Sequence, residues 1–239
     1  MKILKVEGLS KTYPDFELKN VSFCVEKGTI MGFIGRNGAG KTTTLKAIMN
    51  MVHTSGGYVE FFGLDMSKNE REIKKRIGYA GGVIDYYKRK KIKKLLGITK
   101  RFYDNWDDGI CKKYLSLFSL SEDKTPSQLS EGMKVKLNLA IALSHGAELL
   151  ILDEPTSGLD PVSRAELLEI FKRLKERGIS ILFSTHITSD LDQCADEITY
   201  IREGEIVYTG GIAEFCKGET LEAVMIREEK EAVNEKFAL

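Results

Sequence analysis

The beginning of the chain alternates hydrophobic and polar positions with the period of two that is expected of β-strands. Val21, Phe23 and Val25 alternate with Ser22, Cys24 and Glu26. One face of this segment is therefore hydrophobic and the other is mostly polar. Residues 3–6 are also strand-like. Strands that bury only one face are typical of antiparallel sheets, so the pattern predicts an antiparallel β lobe at the N-terminus.

Short hydrophobic runs without alternation predict the buried strands of a second sheet. They span residues 29–34, 149–152 and 179–183, and such runs are typical of parallel strands that are covered on both faces. A helical pattern covers residues 41–51, and residues 198–201 and 206–208 form a predicted hairpin. Because strands alternate with helices, we expect an α/β fold with a mainly parallel sheet.

A longer helix is predicted after Asp160, which is a favourable N-cap residue, with Pro161 at the first helical position. The helix should end near Gly178. Its period indicates a buried face. That face is predicted to contain Val162, Ala165, Leu168, Phe171 and Leu174.

The middle of the chain is polar and has weaker periodicity. Residues 70–127 are predicted to be a mostly helical insertion, followed by a helix over 133–144. We expect a single domain over residues 1–227, with a helical subdomain over about 83–145. Residues 228–239 are expected to be a charged C-terminal tail that forms a frayed helix.

Composition is compatible with many classes of globular protein but gives no indication of binding to nucleic acid or of insertion into a membrane. The 239 residues include 36 Lys and Arg against 35 Asp and Glu, a net charge of +1, so nothing indicates binding to nucleic acid. No hydrophobic run is long enough for a membrane-spanning helix, and no signal peptide is recognisable at the N-terminus. The four cysteines are scattered without ligand-like spacing, which favours a reduced, cytosolic protein.

Residues 35–42 (Gly-Arg-Asn-Gly-Ala-Gly-Lys-Thr) match a phosphate-binding loop in full, between a predicted strand and a predicted helix. Glycines allow the backbone N–H groups to turn towards phosphate oxygens, and the helix N-terminus adds partial positive charge. Lys41 is expected to reach the β- and γ-phosphates. Thr42 is expected to ligate Mg²⁺.

Two acidic residues follow the run 149–152, and a histidine follows the run 179–183. Side chains alternate along a strand, so Asp153 should lie near Mg²⁺ while Glu154 polarises the attacking water. His186 is expected to contact the γ-phosphate and the surroundings of Glu154. His53 and His145 have no comparable setting and are interpreted as structural.

Residues 129–134 (Leu-Ser-Glu-Gly-Met-Lys) resemble the Leu-Ser-Gly-Gly-Gln signature of ATP-binding-cassette (ABC) ATPases. Residues 157–160 resemble the loop that crosses the dimer interface in this family, and residues 184–186 resemble its switch-histidine region. Tyr13 occupies the position of the aromatic residue that stacks on adenine. The resemblance covers about residues 2–227 and implies a P-loop NTPase fold with an ABC ATPase core.

The resemblance also implies the parts of the site. Nucleotide contacts are expected from Tyr13, Gly35, Arg36, Asn37, Gly38, Ala39, Gly40, Lys41, Thr42, Thr43, Ser130, Gly132 and Asp160. Catalytic roles are expected for Lys41, Glu154 and His186, and Mg²⁺ ligation for Thr42 and Asp153. No Asn-Lys-x-Asp element is present, which favours ATP over GTP.

The family organisation implies an ATPase that works as a homodimer, or as a heterodimer with a second ABC ATPase. Each ATP would lie between the phosphate loop of one chain and Ser130 with Gly132 of the other. A separate transmembrane permease would be the partner, at the cytoplasmic face of the cell membrane. The run Phe-Tyr-Asp-Asn-Trp-Asp at 102–107 resembles bacterial exporters of antibiotics, peptides or lipids.

The sequence departs from the family pattern at two places. Glu131 and Met133 replace the more usual Gly and Gln of the signature. Gly82 stands where the family usually has a Gln or Glu that serves Mg²⁺, water and the membrane contact, and Asp85 could substitute only if the loop bends. A regulatory module that binds ATP with little turnover is therefore one alternative.

Two further functions, and two interpretations of a basic segment, remain open at the level of sequence. A non-transport ABC ATPase usually has two cassettes or long coiled coils, and an importer subunit often has an extra domain for which the residues after Arg227 leave no room. The basic run 88–94 is either a solvated helix face or a contact for an acidic loop of the membrane partner or for anionic lipid.

Overall fold

Two β-sheets form the frame of the protein in a computed structural model, which describes residues 1–81 and 89–237. The first sheet has the order β2-β1-β4-β5 and the second β10-β9-β3-β8-β7-β6. The strands are β1 (Lys2–Tyr13), β2 (Phe16–Glu26), β3 (Ile30–Ile34), β4 (Gly56–Phe61), β5 (Leu64–Asp65), β6 (Ile77–Gly81), β7 (Leu149–Asp153), β8 (Ser180–Thr185), β9 (Glu197–Arg202) and β10 (Glu205–Gly211). The helices are α1 (Lys41–Ile48), α2 (Met66–Lys75), α3 (Ile92–Thr99), α4 (Asp108–Leu117), α5 (Glu131–Ser144), α6 (Pro161–Glu176), α7 (Thr188–Cys194), α8 (Ile212–Cys216) and α9 (Leu221–Phe237).

The N-terminal sheet is antiparallel, which confirms the prediction from the alternating pattern. Strand β1 pairs with both β2 and β4, and Val6 lies opposite Phe23 of β2. The inward-facing residues of β2, Val21, Phe23 and Val25, are all buried. The hydrophobic face of this sheet packs onto Met31 and Phe33 of β3, so the lobe is continuous with the core of the second sheet.

The second sheet is parallel from β6 to β9, and β10 joins its edge as the second strand of the predicted hairpin. All residues of β3 are buried, as its uninterrupted hydrophobic run predicted. Strands β3, β8 and β7 are neighbours, so their carboxyl ends meet at one edge. That edge is where open α/β sheets place their ligands, and it carries the residues discussed below.

Helix α6 begins directly after its N-cap Asp160, as predicted. The prediction of its buried face was wrong at the N-terminal end of the helix. Val162 is 69% exposed and Ala165 is also exposed. The first turn of α6 follows the loop at the carboxyl edge of the sheet and extends beyond the core. The core contacts start one turn later and come from Leu167, Leu168, Phe171 and Leu174.

The predicted helical insertion over 70–127 contains a core strand that the sequence interpretation missed. Residues Ile77–Gly81 form β6, which pairs in parallel with β7. A Cβ on Gly78 would lie 2.4 Å from the Cβ of Ala142, so this glycine lets α5 approach the strand closely. Beyond residue 88 the chain is helical as predicted, through α3, α4 and α5. The helix predicted over 41–51 ends earlier, at Ile48.

The charged stretch that begins at residue 228 is part of a continuous helix rather than a separate tail. Helix α9 starts at Leu221, and Leu221 and Val224 are buried in the core. Further along α9, Glu229 accepts a hydrogen bond from the hydroxyl of the buried Tyr200 on β9. The predicted helical conformation is correct, but the boundary at residue 227 lies inside α9.

Candidate active site

The phosphate-type loop joins β3 to α1, as its sequence setting predicted. A Cβ on Gly35 would lie 2.3 Å from the carbonyl oxygen of Ile201, so no larger residue fits there. Gly40 has φ 113°, a conformation that side chains other than glycine rarely adopt. The loop therefore depends on glycine at both ends, and α1 directs its N-terminus towards the space in front of the loop.

Lys41 is the first residue of α1 and is only 6% exposed. Its Nζ donates hydrogen bonds to the carbonyl oxygens of Gly35 at 2.7 Å and Arg36 at 3.2 Å. The same Nζ lies 3.2 Å from Oε1 of Glu154. The ammonium group is thus held by the loop itself and neutralised by a carboxylate from the end of β7.

Asp153, at the end of β7, accepts hydrogen bonds from two hydroxyl groups. Thr42 Oγ1 donates to Asp153 Oδ1 at 3.1 Å, and Ser184 Oγ of β8 donates to the same oxygen at 2.6 Å. A carboxylate beside a threonine hydroxyl is a set of hard oxygen donors that suits Mg²⁺. In the described residues, no group of three or more His, Cys, Asp or Glu side chains could hold a metal ion, so these donors are too few without other ligands.

Glu154 is in a left-handed backbone conformation, with φ 51°. Its N–H donates to Ser184 Oγ at 2.9 Å, while its Oε2 lies 2.9 Å from Nδ1 of His186. Non-glycine residues with positive φ are uncommon and are found at functional sites. The two acids face different partners, Asp153 towards Thr42 and Glu154 towards Lys41 and His186, but Glu154 lies beyond the end of β7, where its left-handed backbone rather than strand alternation directs the side chain.

A cleft of about 750 Å³ opens in front of these groups. The predicted residues that line it are Tyr13, Asn37, Gly38, Gly40, Lys41, Thr42, Thr43, Glu154 and His186. Gly35 and the buried Ala39 lie in the base of the loop rather than in this lining. Asp15, Phe16 and Ser157 also line the cleft and were not among the candidate site residues.

Two contributions to the site were missed at the sequence level. Phe16 lies directly opposite Tyr13 across the β1–β2 turn, and its ring would be 2.9 Å from a Cβ on Gly40. Pro14 and Asp15 are typical turn residues, so a tight turn that places Phe16 opposite Tyr13 could have been predicted from them. Ser184 connects Asp153 with the backbone of Glu154; the sequence resemblance included it in the switch-histidine region but implied no contact with these acids.

Three predicted contacts lie away from the lining of the cleft. Ser130 is the N-cap of α5 and accepts from the N–H of Met133 at 3.3 Å. A Cβ on Gly132 would be 3.4 Å from Leu159, so the signature loop packs against the segment that carries Asp160. Asp160 caps α6 by accepting from two backbone N–H groups at 3.0 Å.

Arg36 also does not contribute to the main cleft. Its side chain is 75% exposed and lies 3.5 Å from Glu229 of α9. Gly82 and Asp85 lie outside the described residues, as does Lys88 of the basic run. Within that run Lys91 and Lys93 pair with Asp123 at 3.1 and 3.2 Å, which favours the interpretation as a solvated face.

Comparison with known proteins identifies the family. A sequence model described as "ABC transporter" matches residues 18–157, more than half of the chain. The chain belongs to the ABC transporter family. The lantibiotic transport ATP-binding protein SrtF of Streptococcus pyogenes is 35% identical to this ABC protein over 218 residues, 86% of this chain and 89% of SrtF. Bacitracin transport ATP-binding protein BcrA of Bacillus licheniformis is 36% identical over 209 residues, 86% of this chain and 68% of BcrA.

Solved structures agree with this assignment. One described as the ATP-binding subunit of an ABC transporter superposes with a TM-score of 0.84 at 26% identity, covering 94% of this chain and 98% of that one. This ABC protein is therefore an ATP-binding subunit, and ATP hydrolysis is the general activity of such subunits. Over the described ranges, no helix is long and hydrophobic enough to cross a membrane.

Proposed function

We propose that two ATPase chains, two copies of this protein or one copy and a paralogue, enclose two ATP molecules between them and thereby drive export through a separate permease. One observation carries this proposal. The cleft contains the phosphate loop, Glu154 and His186, whereas Ser130 and Gly132 lie outside its lining, at the N-terminus of α5. A helix N-terminus with a hydroxyl group is suited to bind an anion, so these groups are available to a nucleotide held by another chain.

The groups in the cleft divide the chemistry of hydrolysis among them. Backbone N–H groups of the loop and the ammonium of Lys41 stabilise negative charge on the phosphates. Glu154 orients and polarises the attacking water, and the contact with His186 holds its carboxylate in the lining of the cleft. Tyr13, 38% exposed at the end of β1, offers a ring face on which adenine can stack.

Thr42 and Asp153 would hold Mg²⁺ once phosphate oxygens complete the ligand set. Their adjacent hydroxyl and carboxylate groups support this assignment. Bound Mg²⁺ would neutralise charge on the β- and γ-phosphates. Before the ion binds, Asp153 is kept in place by the hydroxyl of Ser184.

The cargo class and location follow from the relatives rather than from the cleft. Relatives named for transport of bacitracin and a lantibiotic favour export of peptide antibiotics or similar amphipathic compounds. We infer a permease partner that selects the cargo, with the chain bound to it at the cytoplasmic face of the membrane. The charge of +1 gives no reason to add nucleic acid to the partners.

The experiment that tests the proposal measures steady-state hydrolysis of Mg²⁺-ATP by the purified chain over a wide range of protein concentration. If two chains share each site, activity per chain should rise with concentration. Glu154→Gln should bind ATP, abolish turnover and shift the chain to a dimer in sedimentation experiments with ATP.

The matched control is Glu169→Gln, which removes an exposed carboxylate of α6 that pairs with Arg173 at 3.3 Å, away from the cleft. It should hydrolyse ATP at the rate of the unmodified chain. A Glu154→Gln variant that stays monomeric with saturating ATP, or that hydrolyses at the original rate, would contradict the proposal.

A further inference from the structure

Within the described part of the chain, every buried side-chain polar atom without a hydrogen-bond partner belongs to three residues. They are Thr156, Arg164 and Asp190, which we call the Asp190 cluster. Both carboxylate oxygens of Asp190, Nε of Arg164 and Oγ1 of Thr156 lack a hydrogen bond of normal geometry, although Arg164 and the Thr156 hydroxyl are near enough to act on the Asp190 carboxylate. Such groups are rare in folded proteins, and each one calls for an explanation.

The three residues come from three elements and meet at one place. Asp190 is fully buried on α7, and its Oδ1 lies 4.0 Å from Nε of Arg164 on α6. Thr156, also fully buried, lies in the turn that follows β7. Burial raises the pKa of Asp190, whereas the neighbouring Thr156 hydroxyl and Arg164 guanidinium lower it.

Each member of the cluster is close in sequence to a functional group described above. Thr156 follows Glu154 by two residues, in a turn closed by the hydrogen bond from Ser157 N to Glu154 O at 3.2 Å. Arg164 lies one helical turn after Asp160, to whose carbonyl its N–H donates at 3.0 Å. Asp190 lies in the first turn of α7, four residues after His186. The cluster therefore connects the hydrolytic carboxylate with the loop that faces the second chain.

An approach of about 1 Å between Arg164 and Asp190 would complete their charge-assisted hydrogen bond, because the present 4.0 Å separation of Nε and Oδ1 exceeds normal hydrogen-bond length by that amount. Leaving buried polar groups unpaired is unfavourable, and the penalty is largest for charged groups. Movement of α6 towards α7 would therefore lower the free energy of the cluster. The required motion is a small approach of the first turn of α6 to α7.

We propose that Asp190 is a positioning residue for ATP hydrolysis, which pairs with Arg164 and Thr156 when the second chain closes over ATP and so fixes Glu154 and His186 in their working arrangement. This inference rests on the proposed function, because a second chain is needed to press on the loop that carries Asp160. It assigns no contact with ATP to Asp190. The effect of Asp190 is expected on turnover rather than on the affinity of the open cleft for ATP.

The test compares kcat, KM for ATP and thermal unfolding of Asp190→Asn, Arg164→Gln and the double variant. Each single variant should lower kcat about tenfold or more, the effect of one charge-assisted hydrogen bond, with KM changed by less than about twofold. The double variant should be no slower than the slower single variant, because all three lose the same contact. The unfolding midpoint of Asp190→Asn should not fall, since an amide is easier to bury than an unpaired carboxylate.

Two more variants separate positioning from a structural role. Arg164→Lys keeps the positive charge and should recover part of the turnover lost in Arg164→Gln. Arg173→Gln removes an exposed arginine from the same helix and should leave kcat unchanged. If Asp190→Asn does not fold, Thr156→Val, which removes only the hydroxyl group, provides the same test with a kcat decrease of several-fold.

The results distinguish this inference from the proposed function. ATP-dependent dimers of Glu154→Gln establish the sandwich, and adding Asp190→Asn to that background should weaken dimerisation about tenfold. Failure of Glu154→Gln itself to dimerise would overturn the proposed function. A dimerising Glu154→Gln, together with wild-type kcat in Asp190→Asn or with additive effects in the double variant, would overturn the role of Asp190 alone.

Discussion

At the scale of single residues, His145 shows how burial gives a histidine a purely structural part. It is 1% exposed, its ring stacks on Tyr103 with centroids 3.9 Å apart, and Nδ1 lies 3.1 Å from the carbonyl oxygen of Lys75. Because a carbonyl only accepts hydrogen bonds, Nδ1 must carry the proton. Burial lowers the pKa of His145 from 6.5 to about 4, which agrees with the structural interpretation made from the sequence.

This shift predicts an acid-sensitive stability. Above its unfolded pKa of 6.5 the imidazole is neutral in both states, and below it the unfolded chain takes up the proton that the folded chain excludes. The free energy of unfolding should therefore fall by about 2 kcal/mol between pH 7 and pH 5. Urea unfolding at several pH values should show this slope, and His145→Gln should lack it.

The exposed His53 is the matched control for His145, and His53→Gln should keep the slope. The carboxylates whose pKa values are lowered in the folded protein, such as Glu148 and Asp160, lose their contribution to stability mainly below this pH range. Equal slopes in the wild-type chain and in His145→Gln would show that another group is responsible.

At the scale of elements, the start of α5 combines a structural function with the proposed binding of nucleotide, and one substitution can separate the two. Ser130 caps the helix, and the neighbouring Glu131 is neutralised by Lys134 at 2.6 Å. Aspartate is as good an N-cap as serine and interacts favourably with the helix dipole. It would also place a negative charge where the proposed dimer brings the γ-phosphate.

Ser130→Asp should therefore fold as stably as the wild-type chain and bind ATP with unchanged affinity, yet lose ATP-dependent dimerisation by more than about tenfold because two negative charges would be adjacent. Ser130→Ala should lose about 1 kcal/mol of stability with the cap. Sedimentation of both in the Glu154→Gln background measures the effect. Asp107→Ser, which exchanges the cap of α4 in the opposite sense, is the control. Normal dimers of Ser130→Asp would exclude Ser130 from the interface.

At the scale of the whole molecule, α9 joins the C-terminal part of the chain to the core near the phosphate loop. Leu221 and Val224 anchor it, and Glu229 accepts the hydrogen bond of the buried Tyr200 while also lying 3.5 Å from Arg36. The exposed contact with Arg36 contributes little to stability. The hydrogen bond of Tyr200 contributes more, because a buried hydroxyl without a partner is costly.

Removal of residues 228–239 should therefore leave a folded chain that is less stable by about 1–3 kcal/mol. Adding Tyr200→Phe to the shortened chain should restore most of this loss, since the hydroxyl then needs no partner. Tyr208→Phe is the control, because the Tyr208 hydroxyl donates to the Gly211 carbonyl and not to α9. Calorimetric unfolding measures all three. A shortened chain that Tyr200→Phe destabilises further would contradict this account of the contact.

The sequence predicted the parts of this molecule that depend on local spacing. The phosphate loop, the two acids after β7 and the cap at Asp160 are set by neighbours within a few residues. Strand β6 was missed because five residues with two glycines carry no clear period, and pairing with β7 stabilises them. The first turn of α6 was wrongly predicted to be buried, because periodicity identifies which face of a helix is hydrophobic but not where along its length the helix contacts the core.

The Asp190 cluster could not be predicted from the sequence for a related reason. Its members are separated by 8 and 26 positions along the chain (156, 164 and 190), and only the packing of α6 against α7 brings them together. Phe16 was within reach of prediction, since a two-residue turn separates it from Tyr13.

The 3.2 Å contact between Lys41 and Glu154 has a consequence for how nucleotide affinity is measured. The carboxylate of Glu154 pairs with the Lys41 ammonium, to which a phosphate oxygen of ATP would bind. It therefore competes with phosphate for Lys41, at the high effective concentration of a group in the same chain. ATP must displace it in order to bind. When phosphate leaves, the same carboxylate can return and reset the loop. We therefore expect Glu154→Gln to bind ATP more tightly for two separate reasons, because turnover stops and because the competing carboxylate is removed.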